Sequence, residues 1–226
     1  MSGGLIALII LVVVGVTSGI YVQLRWHRRK DSGLKALAAR HGWRYAVGDG
    51  DIVGRFQGAP FDQSRSKRAR YVVTGEHRGR RLTAFEWNYT ETRDVGSGSS
   101  VEIWYTVVVV TTPAARPTLQ VSREPRYRLG RRDLQLESER FNQTFLIDSA
   151  NDRFAYDVLH PRMMEWLLSN QRALSTPFRF EGDGLVVWRP GMIKPDTVLW
   201  LLDYGCDILD RVPGFVWQSR QEGGST

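Results

Sequence analysis

The stretch Leu82-Thr83-Ala84-Phe85-Glu86-Trp87-Asn88-Tyr89-Thr90 decides the fold, together with the run from Val101 to Thr112 that holds Val107-Val108-Val109-Val110. Both are dense in β-branched and aromatic residues, which suit a pleated, half-buried backbone. In the first, Thr83, Phe85, Trp87 and Tyr89 share one face, and Glu86 and Asn88 point the other way. In the second, four consecutive valines predict a strand buried on both faces. Tyr71 to His77 reads as a further strand, joined to the first run by a tight turn at Arg78-Gly79-Arg80. Asp94 to Ser100 is a flexible connection.

Outward from this centre the period changes. Leu119 to Ser122, Leu134 to Leu136 and Thr144 to Ile147 are shorter strand candidates. Asn151 or Asp152 caps a helix carrying Phe154, Val158 and Leu159, and Pro161 opens the next, with Met163, Met164 and Leu167. Phe178 to Glu181 and Leu185 to Arg189 read as a hairpin about Gly182-Asp183-Gly184. Pro195 opens a last helix with an apolar stripe of Val198, Leu199, Leu202, Ile208 and Leu209. Upstream, Asp31-Ser32 caps a short helix holding Leu34, Leu37, Ala38 and His41, stopped by Gly42. Seven or eight mainly antiparallel strands with late helices predict an α+β fold, a strongly bent sheet or partial barrel with C-terminal helices.

The leader differs from all of this. No charged side chain occurs from Ser2 to Leu24, and a bilayer core needs about 20 such residues in a helix. A cleaved signal peptide wants a positive start and an A-x-A-like site, which Met1 to Gly4 and the following residues lack. An N-terminal transmembrane helix is therefore predicted. Arg25, Arg28, Arg29 and Lys30 follow it at once, and the positive-inside rule then leaves the C-terminal part in the cytoplasm. Gly15 and Gly19 stand one turn apart, a spacing that lets two membrane helices approach as a homodimer, although two ordinary glycines are the simpler account. The expected organisation is an anchor with a basic juxtamembrane segment over 1–30, a cytoplasmic α+β domain over 31–213 and a flexible tail over 214–226.

Composition agrees with a globular domain. Of 226 residues 42% are apolar and 24% charged, and Cys206 is the only cysteine, which excludes a collagen-like, coiled-coil, disordered or disulfide-built chain. Residues 1–140 carry 23 basic and 13 acidic side chains, whereas 141–226 carry 8 and 11. Three basic clusters make the asymmetry: Arg25 to Lys30, Arg65 to Arg70 with Arg78, Arg80 and Arg81, and Arg123 to Arg132. Beside an anionic leaflet each near-surface cation gains about 1 kcal/mol.

The segment Glu137-Ser138-Glu139-Arg140-Phe141-Asn142-Gln143-Thr144-Phe145, with the acidic turn Asp148 to Asp152 and Ala155 to Met164 after it, resembles part of an uncharacterised family of single-pass actinobacterial membrane proteins. Leu37 to Trp43 adds to that likeness. The resemblance implies a membrane-associated protein and carries no catalytic residues with it. On physical grounds Phe141 and Phe145 are two rings packing on one core.

Catalytic patterns are poor. There is no G-x-S-x-G elbow, Walker loop or Rossmann glycine run, and His27, His41, His77 and His160 are scattered. Asp157 stands three residues before His160, as an orienting carboxylate would, but His160 reads more simply as a helix junction. Asp203, Asp207 and Asp210 read as the solvated face of the last helix rather than a cation site. Cys206 reads as a buried residue with no cation beside it. No catalytic residue, metal ligand or cofactor is assigned. The function expected is a binding or scaffolding module at the inner membrane, contacting anionic lipid through Arg25, Arg28, Arg29 and Lys30, a partner protein, or both. Trp87, Tyr89, Trp104 and Tyr105 build its sheet core or a partner surface. An envelope enzyme with a site assembled from distant residues is the alternative, favoured if His77 and His160 share a cleft. Nucleic acid is disfavoured, because no RRM, KH or helix-turn-helix pattern is present.

Overall fold

The computed structural model describes residues 11–14, 30–61, 67–92, 100–123 and 134–218. The valine run is the middle of one strand far longer than its sequence signal. β4 spans Ser100–Arg123, 24 residues, and every other strand except β1 (Arg44–Gly48) and β2 (Arg68–His77) pairs with it. β3 (Arg80–Thr92) lies along its first half, with Leu82 opposite Val110 and Thr92 opposite Ser100. β5 (Phe145–Ser149) takes the same edge further on, from Leu119 to Arg123. β6 (Phe178–Pro190) covers the other edge along both halves.

Between β3 and β5 that edge of β4 is open, and Pro113 and Pro117 sit there. A proline costs no ladder bond where no partner waits for its N–H. Opposite this stretch the pairing with β6 is irregular and Gly182 takes φ +58. The hairpin expected about Gly182-Asp183-Gly184 is therefore corrected. Both of its arms find partners on β4, so the segment is one bent strand, and among the described residues the sheet has six strands rather than seven or eight. The turn between β2 and β3 is as expected: Arg78 and Gly79 have φ +52 and +73, the pattern of a two-residue type I′ turn.

The alternation read from 82–90 holds, with one face covered by helices and the other by a loop over part of its area. On the main face lie Val73, Ala84, Val108, Val110, Val187 and Phe180. Helices close it: α1 over 30–41 through Leu34, Leu37 and Ala38, α2 (Glu139–Thr144) through Phe141, α3 (Asp152–Val158), α4 (Pro161–Ser169) and α5 (Pro195–Leu209). Asn151 caps α3 through the Phe154 N–H, and Pro161 and Pro195 open α4 and α5. α2 falls between the strand candidates at 134–136 and 144–147 and is not anticipated. Ser138 accepts from the Phe141 N–H and starts a turn that ends where β5 begins, with the rings of Phe141 and Phe145 4.8 Å apart. Each fully buried Leu, Val or Phe contributes roughly 1.5–3 kcal/mol.

Two boundaries differ from expectation. Among the described residues no helix is long and apolar enough to cross a membrane. α5 has 15 residues, short of the roughly 20 a bilayer needs, and one side carries Asp203 and Asp207. The transmembrane helix expected in the fold is corrected accordingly: the architecture is an antiparallel sheet with packed helices. Of the leader, 11–14 is a helical turn, and the rest of 1–29 lies outside the described residues. At the other end, Gly214–Trp217 is a 3-10 helix with Val216 buried and Trp217 against Phe180, so the domain runs past 213.

Candidate functional site

Of the residues expected to meet lipid headgroups, Arg25, Arg28 and Arg29 lie outside the described residues, as do Gly15 and Gly19. Lys30 is described, and it faces inward. It is 8% exposed, ion-paired with Glu86 on β3, and its ammonium lies 4.6 Å from the Tyr71 ring centroid. The expectation of a headgroup contact at Lys30 is corrected for this reason: the helix described over 30–41 lays it on the sheet.

The second face of the sheet is covered over only part of its area. Phe56 and Phe61, from the segment between β1 and β2, stack on each other, and Phe56 stacks on Phe85 while Phe61 meets Trp87 edge-on. Trp87 and Tyr89 therefore belong to core, while Trp104 and Tyr105 are half-buried at its margin. Two side chains of β6 fasten that cover. Arg179, 2% exposed, donates to the Ala59 carbonyl at 2.6 Å and to Glu181 at 2.8 Å. Glu181 accepts from the Gln57 N–H at 2.9 Å. Arg179 also lies over the rings of Phe61 and Trp188.

Beyond the cover the same face opens into a cavity of about 310 Å³. Strand register builds it. Arg44 on β1 stands opposite Thr74 on β2, Thr74 opposite Thr83 on β3, and Thr83 opposite Val109 on β4. Arg81 lies two residues from Thr83 on the same face. Thr111 completes the β4 side, and Arg55 and Asp183 lean in from the rim, 3.6 Å apart and both more than half exposed.

A second surface lies at the free edge of β1. Val47 is 68% exposed and Val53 38%, and they share a shallow cavity of about 520 Å³ with three cations, Lys67, Arg68 and Arg70, and one carboxylate, Asp49. Exposed apolar side chains beside a net positive charge combine the two attractions that hold a protein to an anionic bilayer.

Other sequence candidates are absorbed by structure. Asp203 and Asp210 are exposed and Asp207 is half-buried, as a solvated face would be, but all three are also bonded to side chains from other elements. His77 bonds Asp203 at 2.9 Å, Arg78 and Arg172 bond Asp207 at 2.8 and 2.6 Å, and Arg80 bonds Asp210 at 2.7 Å. Arg78 also pairs with Asp210. The β2–β3 turn is thereby clasped to α5, and Arg78 and Arg80 leave the set of cations free to meet a membrane. Burial alone would raise the Asp207 carboxyl, but the bonds from Arg78 and Arg172 outweigh it and hold the group below its usual range. A carboxyl lowered in the folded state stabilises above its unfolded value near 3.8 and loses that contribution as pH falls through the folded one. Acidification below about pH 4 is expected to cost about 1 kcal/mol at this clasp. Urea midpoints followed against pH test it: Asp207→Asn should flatten the acid limb, and identical profiles would refute the clasp.

Cys206 is buried, and burial pushes its thiol up even though Arg80 and Arg78 stand near enough to pull it down. The absence of a neighbouring cation expected from sequence is corrected, because those arginines reach α5 from the β2–β3 turn and the start of β3. His160 bonds the Arg211 carbonyl at 3.2 Å, and Asp157 lines a different groove with Arg116 and Arg153. His77 and His160 have separate partners and line none of the three cavities described.

These features define a class: a small α+β domain whose antiparallel sheet carries helices on one face and a partly covered, basic surface on the other. No family model matches the chain, and no curated protein matches it. A solved structure shares the fold, the crystal structure of the mycobacterial trehalose monomycolate transport factor A, TtfA. The likeness has a TM-score of 0.55 at 17% identity, over 82% of this chain and 97% of that one. At this identity the likeness is one of fold.

Proposed function

We infer that the protein is an envelope-associated binding module that works against the anionic cytoplasmic leaflet of the inner membrane, and that it belongs among actinobacterial envelope proteins. The observation that carries this reading is the β1 edge, where Val47 and Val53 are exposed among Lys67, Arg68 and Arg70. The excess of cations over residues 1–140 supports it. So does a fold like that of a protein named as a trehalose monomycolate transport factor. The interacting surface is the sheet edge and not Lys30.

Hydrogen exchange of the full chain with vesicles tests the assignment. Phosphatidylglycerol-rich vesicles should slow exchange over residues 44–53 and 67–71, and salt should reverse the effect. Replacing both Lys67 and Arg68 by Ala should weaken binding about 30-fold, since each cation is worth about 1 kcal/mol. Equal protection on purely zwitterionic vesicles, or unchanged binding by the double variant, would remove the reading.

A further inference from the structure

We propose that the open half of the second sheet face is a binding site for a phosphate monoester. The site is separate from the β1-edge patch and does not depend on the membrane reading.

Charge is the first argument. Arg44, Arg55 and Arg81 line one concavity with a single carboxylate, Asp183. Three like charges held together are unfavourable without counter-charge. Elsewhere the domain supplies it: Lys30, Arg78, Arg80, Arg172 and Arg179 all have carboxylate partners. Among the described residues Arg44 and Arg81 have no ion-pair partner, and Arg55 reaches Asp183 only at 3.6 Å. The cavity lining carries two positive charges beyond Asp183, with Glu76 across from Arg81 outside it and not paired to it, and this excess suits a phosphate monoester carrying about −1.5 to −2 at neutral pH.

Donor chemistry is the second argument. A guanidinium presents a planar fork that meets two phosphate oxygens at once. Thr74, Thr83 and Thr111 add three hydroxyls from three adjacent strands, none hydrogen-bonded among the described residues. The strands hold these groups in a fixed register, so little ordering is needed on binding. Asp183 at the rim accepts from a hydroxyl on the body of the ligand. A volume of about 310 Å³ is at the lower end for ligand sites and suits a phosphorylated small polyol. The same chemistry is offered by a soluble sugar or glycerol phosphate and by the headgroup of phosphatidic acid.

The test uses the full chain in neutral detergent, titrated calorimetrically with inorganic phosphate and glycerol 3-phosphate. A parallel arm compares partition to vesicles of phosphatidic acid and of phosphatidylglycerol at matched surface charge. Arg44→Ala and Arg81→Ala should each weaken binding about 10-fold or more, and Thr83→Val a few-fold. Arg81→Lys keeps the charge but loses the fork, so it should fall between parent and alanine. Arg162→Ala, on α4 and outside both the cavity and the β1 patch, should bind as the parent does in both arms. Affinity should drop as pH falls below about 6, where the monoester takes up a proton. Saturable binding of glycerol 3-phosphate with this variant pattern supports a soluble ligand. Preference for phosphatidic acid with the same pattern supports a headgroup. Absence of binding in both arms, or binding indifferent to Arg44 and Arg81, overturns the proposal.

Discussion

Replacing Lys30 by alanine lowers the unfolding free energy by about 3–5 kcal/mol, because it leaves the Glu86 carboxylate buried without its cation. Glu86 is 0% exposed, and its other charge-relevant contact is the Ile193 N–H at 2.9 Å. Its second oxygen has no hydrogen-bond partner among the described residues. One amide donor does not offset the desolvation of a carboxylate. The pair is not a source of net stability on its own. Burial pulls the Lys30 ammonium below its ordinary value in spite of the raising effect of Glu86, so desolvation outweighs attraction. That imbalance distinguishes breaking the pair from removing it. Lys30→Met combined with Glu86→Gln keeps an acceptor for Ile193 and discards both charges, so it should recover most of the loss. Urea unfolding of the full chain measures all three. A Lys30→Ala variant within about 1 kcal/mol of the parent would mean that water reaches Glu86.

Arg179→Met should cost about as much, roughly 3–5 kcal/mol, and its damage should be local as well as global. Methionine keeps contact with Phe61 and Trp188 but gives no donor to Ala59 or Glu181. The cover over Phe85 and Trp87 then loses its fastening, and amides over 55–61 should exchange faster than those of β3. Gly58 offers an independent check. Its φ is +71, and a Cβ there would lie 2.7 Å from the Arg179 guanidinium, so Gly58→Ala should loosen the same segment at about 1–2 kcal/mol. Normal protection over 55–61 in both variants would show that the aromatic stack holds the cover unaided.

Part of the candidate site is legible in the sequence. Alternation places Arg81 and Thr83 on the face of Phe85 and Trp87, and basic clusters around 65–81 mark the right half of the chain. Arg44, Arg55, Thr74 and Thr111 are not identifiable that way, because they meet only through the β1–β2–β3–β4 register and a loop of the cover. No local spacing encodes that meeting. Charge misleads where it is consumed. Lys30 sits at the end of a basic run, yet its partner is 56 residues away. Arg78 and Arg80 belong to a basic cluster, yet α5 neutralises them from more than 120 residues further on.

The sequence alone determined the strand faces at 82–90, the doubly buried valines, the turn at Arg78-Gly79, the helix starts at Asn151 or Asp152, at Pro161 and at Pro195, and the excess of positive charge in the first 140 residues. Each is written in neighbouring side chains, through a period of two, a proline or a glycine. Tertiary structure decided that 178–190 is one strand bent along β4, that Lys30 turns inward, and that three arginines and three threonines face one cavity. Those outcomes depend on which distant backbone edge or carboxylate a segment meets, and pairing between distant segments leaves no periodic trace in the chain.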